Sequence, residues 1–279
     1  MEKALVLGGG GVTGIAWEIG LLAGLAQHGV DLTDADLVVG TSAGSVVGVD
    51  VRSGTSLPEL YQVQTQPPGD KEIYARMGLG VMVKFVRTML FSRKPEVARV
   101  RIGAMALRAK TESEQVRRRV IESRLPTLDW PPGRLQITAV DAFTGELKVF
   151  DAASGARLLD AVGASCAVPG IWPPVTINGR RYVDGGTQSA ANADLAAGYD
   201  RVIIIAPLAS GFGAMASPVQ QARALSEAGA RVAVIKPDKA ALRAIGKNVL
   251  DPARRPAAAL AGYAQAGSVT DQAERVWSA

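Results

Sequence analysis

The first fifty residues repeat one pattern, in which a short apolar run is followed by a glycine-rich turn and then a helix. Residues 4–7 (ALVL) lead into four glycines at 8–11, and apolar residues recur at helical spacing from Gly14 onward. Residues 37–39 (LVV) lead into GTSAG at 40–44 and a second apolar helix. Short, continuous apolar runs are typical of buried parallel strands. The repetition predicts an α/β fold with a mainly parallel central sheet, whose ligands bind at the carboxyl ends of the strands.

The remaining chain is predicted to continue this sheet after a helical insertion at about 58–125. That region contains no recognisable strand pattern, and a long, apolar, Met-rich stretch lies within it at 73–91. Further strands are predicted at 134–140, 147–150, 202–205 and 232–235, and helices at 112–124, 158–167 and 256–277. No linker rich in glycine or serine divides the chain, so residues 1–279 are predicted to form a single domain.

Composition limits the chemistry that the chain can carry. Its only cysteine, Cys166, has no partner for an intramolecular disulfide, and a single histidine, His28, excludes a His-rich metal site. The net charge of +5 comes from scattered basic residues, a pattern that does not indicate nucleic-acid binding. No apolar run reaches the ~18–20 residues of a membrane span, and the glycines at 8–11 interrupt a signal peptide. We therefore expect a cytoplasmic protein that needs no metal and no cofactor.

The first glycine turn, GGGVTG at 9–14, formally matches the G-x-G-x-x-G pattern of dinucleotide-binding sites. Such a site also needs an acidic residue at the end of the next strand, where it holds the ribose. The nearby acids Asp34 and Asp36 precede that strand instead, and Ile15 stands where an ATP-type phosphate loop would have lysine. Taken alone, this turn is a weak indication of nucleotide binding.

The second turn, GTSAG at 40–44, matches the G-x-S-x-G nucleophile elbow. In this motif Gly40 and Gly44 allow a sharp turn from strand to helix, and the hydroxyl of Ser42 is exposed above the sheet. The amino end of the following helix favours the negative charge of an alkoxide. Because a strand precedes the motif and a helix follows it, the pattern predicts that Ser42 is a nucleophile.

The first glycine turn is then predicted to supply an oxyanion hole. A serine that attacks an ester needs backbone N–H donors directed at the developing oxyanion, each worth roughly 3 kcal/mol. A glycine turn at the end of the neighbouring strand presents such donors with no side chain in the way. Gly10 and Gly11 are the first candidates, followed by Gly9.

The group that activates Ser42 is not evident from local spacing. His28 lies at the far end of the helix that begins near Gly14, about 20 Å from the start of that helix. A histidine at a helix carboxyl end has a structural explanation, since the helix dipole favours a positive charge there. The chain has no second histidine, so a carboxylate is the natural candidate for the base.

Taken together, these segments resemble the patatin-like phospholipase family. The resemblance is carried by GGGVTG at 9–14, GTSAG at 40–44, ASCAVP at 164–169 followed by PPV at 173–175, and DGG at 184–186. It implies a three-layer α/β/α fold and a Ser–Asp dyad without histidine, in which Ser42 is the nucleophile and Asp184 the base. Family members commonly have Arg or Lys where this chain has Thr13, and this departure implies a preference for neutral or differently charged esters.

The function implied by the resemblance is a serine acyl hydrolase that cleaves ester bonds of lipids, such as phospholipids or lysophospholipids. The stretch at 81–91 is apolar but interrupted by Lys84 and Arg87, as in an acyl-chain channel or a segment that touches a membrane surface. An ordinary helix packed on the core has the same composition. The alternative function is a non-catalytic lipid- or dinucleotide-binding domain that uses the glycine turn.

Overall fold

The computed structural model describes residues 1–68, 73–75, 80, 88, 92, 94–209 and 215–278. One sheet is formed by β1 (Lys3–Leu7), β2 (Leu37–Thr41), β3 (Arg134–Asp141), β4 (Leu147–Phe150), β5 (Val175–Ile177), β6 (Arg180–Asp184), β7 (Arg201–Ile205) and β8 (Arg231–Ile235). The described helices are α1 (Gly11–Gln27), α2 (Ala43–Arg52), α3 (Leu57–Thr65), α4 (Pro95–Arg108), α5 (Glu114–Glu122), α6 (Leu158–Ser165), α7 (Pro218–Glu227), α8 (Lys239–Ile245) and α9 (Arg255–Trp277). Short 3-10 turns occur at Gly185–Thr187, Ala193–Ala196 and Pro252–Arg254.

The sheet is mixed, with a parallel centre. Its order is β5-β6-β3-β2-β1-β7-β8, and β4 pairs with β3. The strands β3, β2, β1, β7 and β8 pair in parallel, whereas β4, β5 and β6 pair antiparallel. Leu7 at the end of β1 lies opposite Gly40 of β2. The two glycine turns therefore leave the sheet side by side at its carboxyl edge, as predicted.

Helices cover both faces of the sheet. Successive side chains of a strand point to opposite faces, so the apolar strands present apolar side chains on both faces. Leu5 and Leu7 of β1 belong to an apolar cluster with residues of α1, α2, α6 and α9. Ala4 and Val6 belong to a second cluster, with residues of α7 and of Ala193–Ala196. The architecture is the three-layer α/β/α arrangement that the resemblance implies.

The strands β2 and β6 meet end to end along one edge of β3. Thr138 of β3 pairs with both β2 and β4, and the next residue, Ala139, pairs with both β4 and β6. A strand residue has two lateral neighbours, so β2 and β6 occupy the same edge of β3, opposite β4. Thr41 lies opposite Thr138, and Asp184 lies opposite Ala139. Since β2 is parallel to β3 and β6 antiparallel, their carboxyl ends converge.

Every predicted strand lies within an observed strand, but β5 and β6 were not predicted. The strand β5 has only three residues and follows directly after prolines 173 and 174. Its hairpin with β6 turns at Asn178 and Gly179, which both have positive φ, 50° and 77°. These values suit the two-residue turns that match the twist of paired strands.

Helices α3, α4, α7 and α8 were not predicted individually, whereas the helices predicted at 112–124, 158–167 and 256–277 are present with slightly different ends. The described residues between 58 and 125 contain helices and no strand. The predicted lipid-contact stretch at 81–91 lies, except for Thr88, outside the described residues. None of the described helices combines the length and apolarity needed to cross a membrane.

Candidate active site

Ser42 lies at a sharp turn between β2 and α2. Its backbone has φ 52° and ψ −114°, a conformation that L residues rarely adopt and that the surrounding structure must hold. Close packing of the turn requires glycine: a Cβ at Gly44 would lie 2.1 Å from the Leu7 carbonyl oxygen, and one at Gly40 would lie 2.6 Å from the Gly44 carbonyl oxygen. The Ser42 N–H donates to the Oγ of Ser165 at 2.8 Å. The local geometry is that of the predicted nucleophile elbow.

Asp184, the last residue of β6, is in direct contact with Ser42. Its Oδ2 accepts a hydrogen bond from the Ser42 Oγ at 2.7 Å, and its Oδ1 accepts one from the Gly186 N–H at 2.7 Å. The Asp184 N–H donates to the carbonyl of Ala167 at 3.0 Å. Ser42 is 8% exposed and Asp184 5%. The structure thus brings together the two residues that the resemblance implied, in a nearly buried position.

Burial raises the pKa of Asp184 from 3.8 to about 6. The hydrogen bonds from Ser42 and Gly186 and the positive charge of Arg117 act in the opposite direction, because they stabilise the carboxylate. A carboxyl group with this pKa is ionised at neutral pH and is a considerably stronger base than an ordinary aspartate. It is therefore suited to accept a proton from a serine hydroxyl during attack on an ester.

The turn that follows Asp184 is attached to the end of β2 by Asn192. The Asn192 Nδ2 lies 3.0 Å from the Thr41 Oγ1, 3.2 Å from the Thr138 Oγ1 and 3.3 Å from the Gly185 carbonyl oxygen. Asn192 is fully buried and has a left-handed backbone with φ 51°, which asparagine tolerates better than most residues. Its amide therefore keeps the Ser42 and Asp184 segments in contact.

The three glycines predicted to form the oxyanion hole differ in their hydrogen bonding. The Gly9 N–H donates to the carbonyl of Ala190 at 2.7 Å, so this amide is already engaged. Within the described part of the chain, no acceptor receives the N–H of Gly10 or of Gly11. Gly11 lines the same pocket as Ser42. Geometry therefore favours Gly10 and Gly11 over Gly9 as donors.

Thr13 has a structural role at the start of α1. Its N–H donates to the Val249 carbonyl at 3.1 Å, and its Oγ1 donates to the same oxygen at 3.2 Å. A Cβ at Gly11 would lie 2.5 Å from that carbonyl oxygen. The segment around Val249 thus covers the amino end of α1, where the pyrophosphate of a dinucleotide would bind in the alternative function.

Ser42 opens into a narrow pocket that is apolar apart from two arginines. The apolar lining comes from Val12, Ile15, Val168, Trp172 and Leu250. Arg117 and Arg124 complete the wall, and the Arg117 guanidinium lies 4.0 Å from the centre of the Trp172 ring. The free space of about 20 Å³ accommodates a single water molecule. Substrate entry consequently requires some of these side chains to move.

The remaining candidate residues lie apart from this chemistry or support it through packing. His28 is exposed at the carboxyl end of α1, beside Gly267 of α9. Cys166 is buried, and its Sγ lies 3.3 Å from the Ser42 carbonyl oxygen. Among the described residues, no three His, Cys, Asp or Glu side chains are grouped as metal ligands would be.

Ser165, Arg117 and Asn192 were not predicted to take part in the site. Ser165 belongs to the ASCAVP segment that contributed to the resemblance, and this was the one signal that could have indicated it. The other two approach the dyad only through the fold, from α5 and from the loop after Gly185–Thr187.

The family model described as Patatin-like phospholipase matches residues 5–197, a range that contains both glycine turns, Ser42 and Asp184. The chain belongs to the patatin-like phospholipase family. Members of this family are lipid hydrolases, and the match of this chain to the family model agrees with the resemblance seen in the sequence.

Two solved structures are similar to this member of the family across nearly its whole length. The crystal structure of VipD from Legionella pneumophila matches 97% of this chain and 67% of its own, with 15% sequence identity and a TM-score of 0.48. The crystal structure of the type III effector protein ExoU matches 98% of this chain, with 16% identity and a TM-score of 0.41. This chain spans 53% of the length of the ExoU chain.

Proposed function

We propose that this protein is a serine acyl hydrolase that cleaves carboxylic ester bonds of phospholipids or lysophospholipids through a Ser42–Asp184 dyad. The observation that carries the proposal is the 2.7 Å hydrogen bond from the Ser42 Oγ to the Asp184 Oδ2. It joins a strained elbow serine to a buried carboxylate whose pKa of about 6 suits a general base. Membership in a family of lipid hydrolases supports the choice of substrate.

In the first half of the reaction, the Ser42 Oγ bonds to the ester carbonyl carbon while its proton moves to the Asp184 Oδ2. The carbonyl oxygen becomes an oxyanion, which the N–H groups of Gly10 and Gly11 stabilise. The bond to the lipid alcohol then breaks, and Asp184 returns the proton to the departing oxygen. An acyl-enzyme on Ser42 remains.

In the second half, water attacks the acyl carbon and Asp184 accepts one proton of that water. Collapse of the tetrahedral intermediate breaks the bond to the Ser42 Oγ, and Asp184 returns the proton to the serine. The products are a fatty acid and the free alcohol, and the enzyme regains its initial state. Asp184 acts as base and then as acid in each half, so no second titrating group is needed.

We further propose that residues 1–279 act as one domain, with the helical insertion at 58–125 close to the substrate. A single apolar cluster includes residues from Leu5 to Trp277, and this continuity supports one domain. Ile73 and Arg117, which lie between 58 and 125, both line the pocket of Ser42. An enzyme of this kind would work in the cytoplasm and meet its substrate by peripheral contact with a lipid surface.

A fluorophosphonate probe tests the proposal, because it forms an adduct only with an activated serine. We expect a single adduct on Ser42, none in Ser42→Ala, and strongly reduced labelling in Asp184→Ala. We also expect Asp184→Ala to lower kcat/KM for ester hydrolysis by about 1,000-fold or more. His28→Ala is the matched control and should retain activity. A folded protein without an adduct at Ser42, or a loss of activity in His28→Ala, would overturn the proposal.

A further inference from the structure

The turn between β3 and β4 projects from the sheet beside the candidate active site. Because β3 is parallel to β2, this turn lies at the same carboxyl edge of the sheet as Ser42. Thr41, the residue before Ser42, lies opposite Thr138, whereas β3 continues for three more residues, to Asp141. At roughly 3.3 Å per strand residue, the turn begins about 10 Å beyond the level of the elbow. It is therefore placed to touch a surface that the active site faces.

Phe143 is held in solvent at the tip of this turn. It is 60% exposed, although large apolar side chains of this kind are usually buried. The Oδ1 of Asp141 accepts hydrogen bonds from the N–H groups of Phe143 and Thr144, at 2.9 and 3.0 Å. The Gly145 N–H donates to the carbonyl of Asp141 at 2.9 Å. These bonds fix the backbone as an Asx turn, so the exposure of the ring is built into the local structure.

Helix α4 supports the turn from one side. A Cβ at Gly103 would lie 2.1 Å from the carbonyl oxygen of Ala142, the first residue of the turn. The Arg99 Nε donates to the carbonyl of Gly145 at 2.6 Å, and a Cβ at Gly145 would lie 3.0 Å from the Val100 nitrogen. The amino half of α4 therefore lies alongside the turn, beyond the end of β3.

This half of α4 exposes apolar and basic side chains on one face. Val97 and Val100 are exposed, and so are Lys94, the residue before α4, and Arg101. Their spacing of three and four residues places them on the same side of the helix. Together with Phe143 they form what we call the tip surface, a group of exposed apolar side chains bordered by positive charge. Grouped apolar side chains of this kind mark sites of interaction, whereas single ones do not.

The charge around the tip surface is positive. Residues 94–101 and 141–148 and the adjoining residues 180–181 include six basic and three acidic side chains. Two of the acids form ion pairs, Glu96 with Arg99 and Asp141 with Arg180. The basic residues exceed the acidic ones even when every acid is counted against a base. Anionic lipids attract basic segments that come within a Debye length of the membrane surface.

We propose that the tip surface docks the protein on an anionic lipid surface, with the Phe143 ring at the boundary between headgroups and acyl chains. The proposal rests on the proposed function, because that lipid surface would supply the substrate. Interfacial segments typically enter this boundary by ~5–10 Å. This depth is similar to the projection of the turn beyond the elbow, so docking would bring Ser42 to the level of the headgroups.

Sedimentation with vesicles tests the docking in a Ser42→Ala background, which does not hydrolyse the lipid. We expect binding to vesicles of phosphatidylcholine mixed with phosphatidylglycerol, and much weaker binding to phosphatidylcholine alone. Phe143→Ala should lower the affinity for the mixed vesicles by about tenfold. Lys94→Gln combined with Arg101→Gln should lower it by about tenfold or more. Leu260→Ala is the matched control, since this exposed leucine lies on α9, which packs on β7 and β8 at the other end of the sheet.

A second measurement separates docking from catalysis. In the active protein, Phe143→Ala should slow the hydrolysis of vesicle lipid by about tenfold. It should leave kcat/KM for a soluble monomeric ester, and fluorophosphonate labelling of Ser42, unchanged. A matching loss with the soluble ester would show that Phe143 supports the fold of the site, and would overturn its role in docking.

Four other results would also decide the matter. Absence of vesicle binding, or binding unaffected by Phe143→Ala, would overturn the docking. Equal binding to both kinds of vesicle would overturn the choice of an anionic surface. Loss of a dimer in Phe143→Ala, measured by light scattering, would show that a second copy of the chain covers the tip surface instead. Failure of the wild-type protein to label at Ser42 would refute the proposed function, even where the Ser42→Ala protein binds vesicles as expected.

Discussion

Replacement of Asp184 by asparagine should stabilise the protein while it abolishes catalysis. The asparagine side chain has the same shape: its Oδ1 could accept from the Gly186 N–H, and its Nδ2 could donate to the Ser42 Oγ. The change therefore removes the charge and preserves the contacts. Because burial penalises that charge, the native state should gain free energy relative to the unfolded chain.

The magnitude follows from the pKa of Asp184, which is 3.8 in an unstructured chain and about 6 in the folded protein. Because its folded pKa is raised, the contribution of Asp184 to stability is complete below pH 3.8 and is lost as the pH rises through 6. The shift is roughly two pKa units, and each unit corresponds to about 1.4 kcal/mol. The free energy of unfolding of Asp184→Asn should exceed that of the wild type by about 3 kcal/mol at pH 8 and by about 1 kcal/mol at pH 4.5.

Urea unfolding, followed by tryptophan fluorescence, measures this difference at both pH values, since Trp17, Trp172 and Trp277 are buried in the folded protein. Asp271→Asn, at an exposed position of α9, is the control and should change stability little at either pH. A gain of the same size at pH 4.5 and pH 8 would show that the amide packs better, and that charge is not the cause. No gain at pH 8 would show that burial does not penalise the Asp184 carboxylate.

Two further predictions concern the base and the elbow. Below pH 6, kcat/KM for a soluble ester should fall with decreasing pH, because protonated Asp184 cannot accept the Ser42 proton; a flat profile between pH 5 and 8 would contradict its role as base. Gly44→Ala should lower the free energy of unfolding by about 3 kcal/mol, since its Cβ would overlap the Leu7 carbonyl oxygen. Gly163→Ala is the control, because its Cβ would meet only the Val175 Cγ2 at 3.6 Å, and it should be neutral or stabilising by up to about 1 kcal/mol. Equal urea midpoints for the two variants would contradict the close approach of Gly44 to the Leu7 carbonyl.

Local patterns were sufficient to predict the centre of the fold. The strands at 4–7 and 37–39 are buried on both faces, so each is a continuous apolar run that ends in glycine. The strand β5 could not be predicted in the same way, because its three residues gain their stability from pairing with β6 and not from a pattern of their own. Helix α4 was not predicted for a similar reason, since only four of its residues are buried and its apolar periodicity is weak.

The site, like the fold, contains residues that a local pattern predicts and residues that only long-range contacts reveal. The elbow at Ser42 was predictable because it is contained in five consecutive residues. The contact of Asp184 with Ser42 was predictable only through the resemblance, since Asp-Gly-Gly is in itself an ordinary turn sequence. The roles of Ser165 and Asn192 depend on hydrogen bonds to residues 123 and 151 positions away, respectively, which no local pattern encodes.

The meeting of β2 and β6 on one edge of β3 has a consequence for the order in which the protein becomes active. Ser42 and Asp184 are 142 residues apart, and their contact forms only after both strands have paired with β3. A nascent chain that has emerged from the ribosome only as far as β5 contains the whole elbow but lacks the base. Under the proposed mechanism, hydrolysis can therefore begin only after β6 has paired with β3, and chains that end before β6 are expected to be inert toward lipids.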